Sequence, residues 1–381
     1  MSFHTFSTPY RWERLTAAKQ TASQYPDGMI NLSVGSPVDD VPESVRSALA
    51  EASNQPNAFG YPTTVGTDEL QKAISEWFSR ARGVDMAAIH ARALPSVGSK
   101  EAVALMASLL GLKPGTVVVQ PKVSYPTYEI GTQLAGLETF KTDVADVDSW
   151  KDVPNVGMVW VNSPSNPTGQ TLSAAQLSNI VATARSRGAV VVSDECYALL
   201  HWKTREPAPC ILNTEVCGGD ARNVLCLYSL SKQSNMAGYR TAFIAGDSDI
   251  LSEMLNYRKQ IGLIIPGPVQ AAMAAGLTDS QSVVFQRDRY RKRLNALVDG
   301  LVSAGYAATM PEGGLYVWVR ALSGDCWHDI ERLARWGIVP SPGEFYGDAA
   351  WLRFSSTASD DDIAAAAARL RASGNASQER S

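Results

Sequence analysis

Histidine and cysteine are scarce in this sequence, and each scarcity argues against a class of chemistry. Four histidines occur in 381 residues, at positions 4, 90, 201 and 328, and none forms a His-x-x-x-His or similar ligand pair. The five cysteines, Cys196, Cys210, Cys217, Cys226 and Cys326, are an odd set without a Cys-x-x-Cys pair, so neither a disulfide framework nor a zinc site is indicated. They read as reduced residues, mostly core filler. Long apolar runs are missing too: none is long enough to cross a bilayer, and the start, Met1 to Arg11, lacks a basic region followed by an apolar core. The expectation is a cytoplasmic protein with no membrane partner. Positive charge is not in excess either. With 34 Lys and Arg against 38 Asp and Glu, a net charge of -4 and a pI near 5.7, the chain carries no electrostatic footprint for nucleic acid.

What remains is the composition of an ordinary globular protein, 45% hydrophobic and 19% charged, with length enough for two domains. Residues 1 to about 40 read as an arm with a short helix around Trp12 to Gln24, leading to Ile30-Asn-Leu-Ser-Val-Gly35. Gly35 precedes Ser36-Pro37, where a backbone either approaches a ligand or simply turns. Helical patterns follow at Val41 to Ala52 and Asp68 to Arg82, separated by the turn-rich loop Phe59 to Gly66 that carries Tyr61. From Thr116 onward short apolar runs alternate with helices: Thr116 to Gln120, Val156 to Val161, Ala189 to Ser193, Asn223 to Tyr228 and Thr241 to Ala245. That alternation predicts a wound α/β sheet covered on both faces. The long basic helix Val283 to Gly305, with the run Gln286 to Arg293, reads as a solvated connecting face. Beyond it, strands at Gly314 to Val319 and Trp351 to Phe354 and helices near Trp327 to Trp336 and after Ser359 suggest a second, smaller domain.

Ligands of wound sheets gather at loops after strand ends, and several such loops carry unusual chemistry. Gly98-Ser-Lys100 opens a strongly periodic helix, whose free amide groups and positive dipole end form an anion site. Asn162-Ser-Pro-Ser-Asn-Pro-Thr-Gly169 offers the amide of Asn166. Asp194 leaves an apolar strand, where an unpaired carboxylate is costly, so it should face a cation; the plainer reading is a helix cap. Tyr197 follows three residues on. Ser229-Leu-Ser-Lys-Gln-Ser-Asn-Met-Ala-Gly-Tyr-Arg240 gathers a lysine, small hydroxyls and an arginine immediately after a buried strand. Lys232 is then either a solvated loop residue or a desolvated amine that acts as a nucleophile. Arg353, between Leu352 and Phe354, points to solvent by alternation or grips a carboxylate in a cleft.

The order of Asn-Pro-Thr-Gly, Asp-x-x-Tyr, Ser-x-Ser-Lys with Arg240, and a late strand arginine resembles the class I and II aminotransferases, fold type I enzymes that use pyridoxal 5'-phosphate. The resemblance implies an α/β fold with a large domain, residues 41–280, around a mostly parallel seven-stranded sheet. It also implies a smaller α/β domain from 1–40 and 281–381. Lys232 would hold the cofactor as an imine and carry the proton, Asp194 would pair with the ring nitrogen, and Tyr197 and Asn166 would bind the phenolic oxygen. Gly98, Ser99, Lys100, Ser229 and Arg240 would hold the phosphate, with Tyr61 reaching that of a neighbouring subunit in a homodimer. Tyr125 resembles the aromatic that stacks on the ring, although Pro121-Lys-Val-Ser-Tyr125 departs from the usual short spacing. Arg353 would clamp the substrate α-carboxylate, with Gly35 and Asn166 lining the same pocket.

Within that family, Asp27 to Asp39 and Ser231 to Arg240 are similar to actinobacterial N-succinyldiaminopimelate aminotransferases of lysine biosynthesis, which implies small amino acid and keto acid partners. Related aminotransferases for aspartate, alanine or aromatic substrates, and a C-S lyase of the same fold, remain as alternatives. A DNA-binding regulator built on this fold would need a helix-turn-helix, for which the arm before Gly35 has no room.

Overall fold

Short β-branched and apolar runs supply eleven strands among the described residues: β1 Ile30–Leu32, β2 Ala91–Val97, β3 Val117–Pro121, β4 Glu138–Thr142, β5 Val156–Asn162, β6 Val190–Asp194, β7 Val224–Ser229, β8 Thr241–Asp247, β9 Tyr316–Arg320, β10 Ile338–Pro342 and β11 Trp351–Ser355. The computed structural model describes residues 6–7 and 10–378, the last three by backbone only. The sequence reading of the first five residues, His4 included, falls outside the described residues.

Seven strands form one sheet in the order β2-β8-β7-β6-β5-β3-β4, in which only β8 runs antiparallel to its neighbours. The mostly parallel seven-stranded α/β fold is thus present. Alternation along the central strands assigns side chains to two cores: Val159, Val161 and Val191 to one, Met158, Trp160 and Val192 to the other. Helices cover both faces. Ala174–Ser186, opened by the Ser173/Gln176 capping box, buries Leu177 and Ile180 on the first; Ser99–Leu109 buries Val103 and Met106 on the second. Each fully buried aliphatic side chain contributes roughly 1.5–3 kcal/mol, so a charge placed at Val159 or Val192 would break the sheet's packing.

Four strands form the second sheet, β1-β10-β11-β9, with β1 parallel to β10 and the other pairs antiparallel. Its core joins Leu15 and Leu32 from the start of the chain to Leu294, Leu297 and Leu301 of helix Ser280–Ser303 and to Val317, Ile338 and Phe354. The N-terminal segment therefore packs with the last third of the chain. The sequence pattern had not separated out β1, β2, β4 or β10. Pro95 is tolerated because β2 is an edge strand. In β10, Ile338–Pro340 pairs with β1 and only Ser341 and Pro342 pair with β11, so neither proline has to serve a two-sided ladder.

Helix Ser280–Ser303 also corrects the reading of its basic run. Gln286, Tyr290 and Arg293 recur on one face and are buried. Arg293 donates to both carboxylate oxygens of Asp39 at 2.7–2.8 Å and to Asp360 at 2.6 Å, while Gln286 and Arg289 also donate to Asp39. This face anchors the chain just beyond Gly35. All five cysteines are buried and unpaired, and among the described residues no helix is long and apolar enough to cross a membrane.

Candidate active site

β5 and β6 stop in register, and β7 runs on past them to Ser229. Asn162 lies opposite Asp194, and Asp194 opposite Leu227, so the loops after these strands open at one end of the sheet. There they line a cavity of about 310 Å³ with residues of the second sheet and of the N-terminal segment. Of the residues singled out in sequence, Gly35, Ser99, Lys100, Tyr125, Asn166 and Asp194 line it, as do Tyr197, Ser229, Lys232, Arg240 and Arg353. Gly98 adjoins it as the cap of helix Ser99–Leu109. Tyr61 does not; it is fully exposed on its loop, outside this cavity.

Asp194 sits 7% exposed at the end of β6. The Tyr128 hydroxyl donates to its Oδ2 at 2.8 Å and the Cys196 amide to its Oδ1 at 3.2 Å. No protein cation faces it among the described residues, and burial raises its pKa above the ordinary carboxylate value. The next residue has the opposite environment. Glu195 pairs with Arg82 at 2.7 Å and accepts from Ser193 and the Ile211 amide, all buried. That clamp turns Glu195 away and holds the strand end that presents Asp194. The Asn162 side-chain amide donates to the Asp194 carbonyl at 2.9 Å and accepts from the Asn166 amide at 2.7 Å, tying the Pro-rich loop to β6.

Lys232 lies in the short helix Leu230–Gln233 directly after β7, with its Nζ donating to the Gly35 carbonyl. Burial lowers its pKa, and the nearby Arg353 and Arg240 cations add to that while Tyr316 opposes it. A buried amine so placed keeps a neutral, nucleophilic fraction.

At the other end of the cavity, Arg240 holds a left-handed backbone, with φ 59°, which costs a non-glycine residue about 1–2 kcal/mol. Its guanidinium donates to the Ala237 carbonyl at 2.7 Å and lies so close over Gly98 that any Cβ there would overlap it. Gly98 itself has φ 76° and begins helix Ser99–Leu109. Ser229 Oγ donates to Ser231 Oγ and accepts from the Ser231 amide nearby. Two hydroxyls, a guanidinium and a helix N-terminus thus surround one space suited to an anion. Lys100 is turned toward the N-terminal segment, donating to the Tyr10 hydroxyl at 2.9 Å.

Arg353 is 4% exposed, so the alternation that would send it to solvent does not apply; β11 is covered on both faces. Its Nη1 donates to Asn166 Oδ1 at 3.0 Å and its Nη2 to the Ser33 carbonyl at 2.7 Å, while Nε has no partner. Tyr316 and Tyr346 sandwich the guanidinium at 4.0 and 4.6 Å. Sequence reasoning missed Tyr316, which shares a hydrogen bond with Tyr197 at 3.1 Å between hydroxyls. Burial pushes the Tyr316 pKa up, but the Arg353 and Lys232 cations outweigh it and the net shift is downward. Gly35 lets the backbone pass close against Tyr316, since a Cβ there would overlap the Tyr316 hydroxyl. Tyr128, whose hydroxyl meets Asp194, is likewise not singled out by the sequence.

A buried amine, a buried carboxylate and an anion cradle at a helix start are gathered where parallel strands end, an arrangement that fits a pyridoxal-phosphate enzyme of fold type I. The chain belongs to the aminotransferase class I and II family, whose model matches residues 27–370. It is 43% identical over 95% of its length to the 4-dedimethylamino-4-oxo-anhydrotetracycline transaminase OxyQ of Streptomyces rimosus, covering 98% of that protein. To the "Probable aminotransferase Rv1178" of Mycobacterium tuberculosis it is 42% identical, over 95% of this chain and 84% of the other. Among solved structures, a "probable N-succinyldiaminopimelate aminotransferase" from Thermus thermophilus superposes with a TM-score of 0.83 at 26% identity, covering 95% and 99% of the two chains. The family depends on pyridoxal 5'-phosphate, and the residues present fit it. Asp194 is a buried carboxylate with no protein cation beside it among the described residues, Lys232 an amine of lowered pKa, and the Gly98–Arg240 contact a cradle that a side chain at Gly98 would fill.

Proposed function

We propose that this transaminase moves the amino group between L-glutamate and N-succinyl-2-amino-6-oxopimelate, a step of diaminopimelate formation. The observation that carries the reading is the meeting of Lys232, Asp194 and Arg353 on one cavity. The substrate reading is supported by the sequence similarity at Asp27 to Asp39 and Ser231 to Arg240 and by the likeness to the Thermus protein. In this reading Asp194 would meet the ring nitrogen, Tyr197 and Asn166 would meet the phenolic oxygen, and Tyr125 would pack against the ring. Ser99, Lys100, Ser229, Arg240 and the amides after Gly98 would hold the phosphate, and Tyr61 would serve the site of a partner subunit in a homodimer. The two sheets, with 41–280 around one and 1–40 plus 281–381 around the other, would act as two domains with the cavity between them.

Pyridoxal phosphate, when bound, supplies the electron sink that makes the substrate α-C–H bond acidic. The chain does the rest. Arg353 holds the α-carboxylate with its forked guanidinium and so fixes how the α-carbon is presented. Lys232 Nζ, whose neutral fraction burial raises, would take the proton from the substrate α-carbon and carry it to the cofactor's aldehyde carbon. Tyr316, joined to Tyr197 and packed on Arg353, keeps both in place.

A second reading is favoured by the 43% identity to OxyQ: a cyclic ketone as acceptor, stacked among Tyr10, Trp12 and Tyr346. The test is the absorbance of the holoenzyme titrated separately with L-glutamate and with N-succinyl-LL-2,6-diaminopimelate. Both should convert the cofactor band, and Lys232→Ala should fold yet lose the band and turnover. No conversion by the succinylated substrate removes the substrate reading, and turnover retained by Lys232→Ala removes the mechanism.

A further inference from the structure

Tyr10 and Tyr346 line a second chamber as well, of about 550 Å³, which adjoins the active-site cavity across these two side chains. Its walls include Arg11 and Arg14 at the start, Gln120 in β3 with Lys122 and Ser124 just after it, Glu129 and Lys141 beyond, and the turn Glu344 to Gly347 after β10. Tyr346 separates it from Arg353, whose guanidinium packs on the ring. Four basic side chains, Arg11, Arg14, Lys122 and Lys141, line the chamber with two acids, Glu129 and Glu344, in a chain of net charge -4. Both acids are already engaged, Glu344 by Arg14 and Glu129 by Lys141, each at 2.6 Å. Arg11 and Lys122 have no acidic partner among the described residues. At the wall Gln120 is 1% exposed; its Nε2 donates to Ser124 Oγ at 3.4 Å, and its Oε1 has no partner. A buried amide oxygen left without a donor is costly, and a ligand N–H would relieve it.

We infer that this chamber receives the far end of an elongated amino or keto acid that carries a second carboxylate with an N–H group beside it. Arg11 and Lys122 bind that distal carboxylate, Gln120 Oε1 accepts from the N–H, and the α-carboxylate stays on Arg353 beyond the Tyr346 ring. The inference rests on the reading of Arg353 given above, and it narrows the substrate class of the same site. An uncharged tail of equal length would instead lie against two unpaired cations.

The test compares the holoenzyme with the double variant Arg11→Met, Lys122→Met, both surface changes that keep the aliphatic stems. The probes are L-2-aminopimelate and L-2-aminoheptanoate, which share a carbon count and differ in the distal carboxylate. Conversion of the cofactor band gives the rates, and calorimetry with the non-reacting acids pimelate and heptanoate gives affinities. The native protein should prefer the diacid in both measurements, and the double variant should lose a few-fold of that preference, as expected for ion pairs made by exposed side chains. Gln120→Leu should reduce the further gain that N-succinyl-LL-2,6-diaminopimelate shows over 2-aminopimelate. Equal handling of diacid and monoacid by the native protein, or a preference that the double variant keeps, overturns the inference. If the succinylated substrate does not react while the diacid preference exists and falls in the double variant, the proposed substrate is wrong and the chamber assignment stands.

Discussion

Asp194→Asn removes a charge and little else. The amide keeps an oxygen for the Cys196 N–H, and the Tyr128 hydroxyl can turn to accept from the new nitrogen. Without cofactor, the native protein buries this carboxylate with no cation, and burial raises its pKa. Because the folded value is the higher one, the group's contribution to stability is full below the ordinary value of 3.8 and is lost as pH rises through the folded value. At neutral pH the cofactor-free asparagine variant should therefore melt at the same temperature as the native protein or higher. With cofactor the sign reverses. Removing one partner of a buried ion pair costs about 3–5 kcal/mol, and the lower figure already corresponds to ~100-fold weaker binding. Thermal melts of both forms and a cofactor titration followed by absorbance give the two quantities. A cofactor affinity within about threefold of native, or a cofactor-free variant destabilised by more than about 1 kcal/mol, would refute the argument that Asp194 waits for a cation.

Arg353→Lys keeps the charge but loses the fork that now spans Asn166 Oδ1 and the Ser33 carbonyl. With one charge-assisted hydrogen bond worth about 1.5–3 kcal/mol gone, the KM for glutamate should rise roughly 10- to 100-fold with the cofactor band intact; an unchanged KM would contradict the carboxylate role. Asp39 tests the anchor behind Gly35. Burial pushes its pKa up, but hydrogen bonds from Arg293 and Gln286 and the charges of Arg293 and Arg289 more than offset this and hold it low. Its stabilisation is therefore present above the ordinary value of 3.8 and lost as pH falls through the depressed value. Asp39→Asn should cost about 1–3 kcal/mol in urea unfolding at pH 7 and less near pH 3. A cost that does not shrink with acid would remove Asp39 from the pH response.

The central strands were legible because β-branched runs such as Val190 to Val192 are buried on both sides and leave few other conformations. The edges were not: Glu138-Thr-Phe-Lys-Thr142 alternates with charge at a sheet border, and β10 carries two prolines. At the site, Lys232, Asp194 and Asn166 stood out because polar groups directly after apolar strands need a reason to be there. Arg353 was visible only as a choice between solvent and cleft, and burial of both faces of β11 decides it. Tyr128 and Tyr316 were invisible because an aromatic residue in a periodic segment is indistinguishable from core until its hydroxyl finds a partner. The one sequence trace of Tyr316 lies far away, at Gly35, the position where it leaves no space for a Cβ. Chain-distant contacts of that kind have no local pattern.

The antiparallel course of β8 has a mechanical result. Ser229 stands opposite Ala242, so the chain leaves the sheet and rejoins it at the same end, and both Lys232 and Arg240 ride on the short tether between. Their separation is fixed by covalent length, whatever the helices outside the sheet do. The protein can be re-cut or lengthened at outer loops without disturbing that spacing, whereas one residue inserted between Leu230 and Arg240 would throw the amine and the guanidinium out of step.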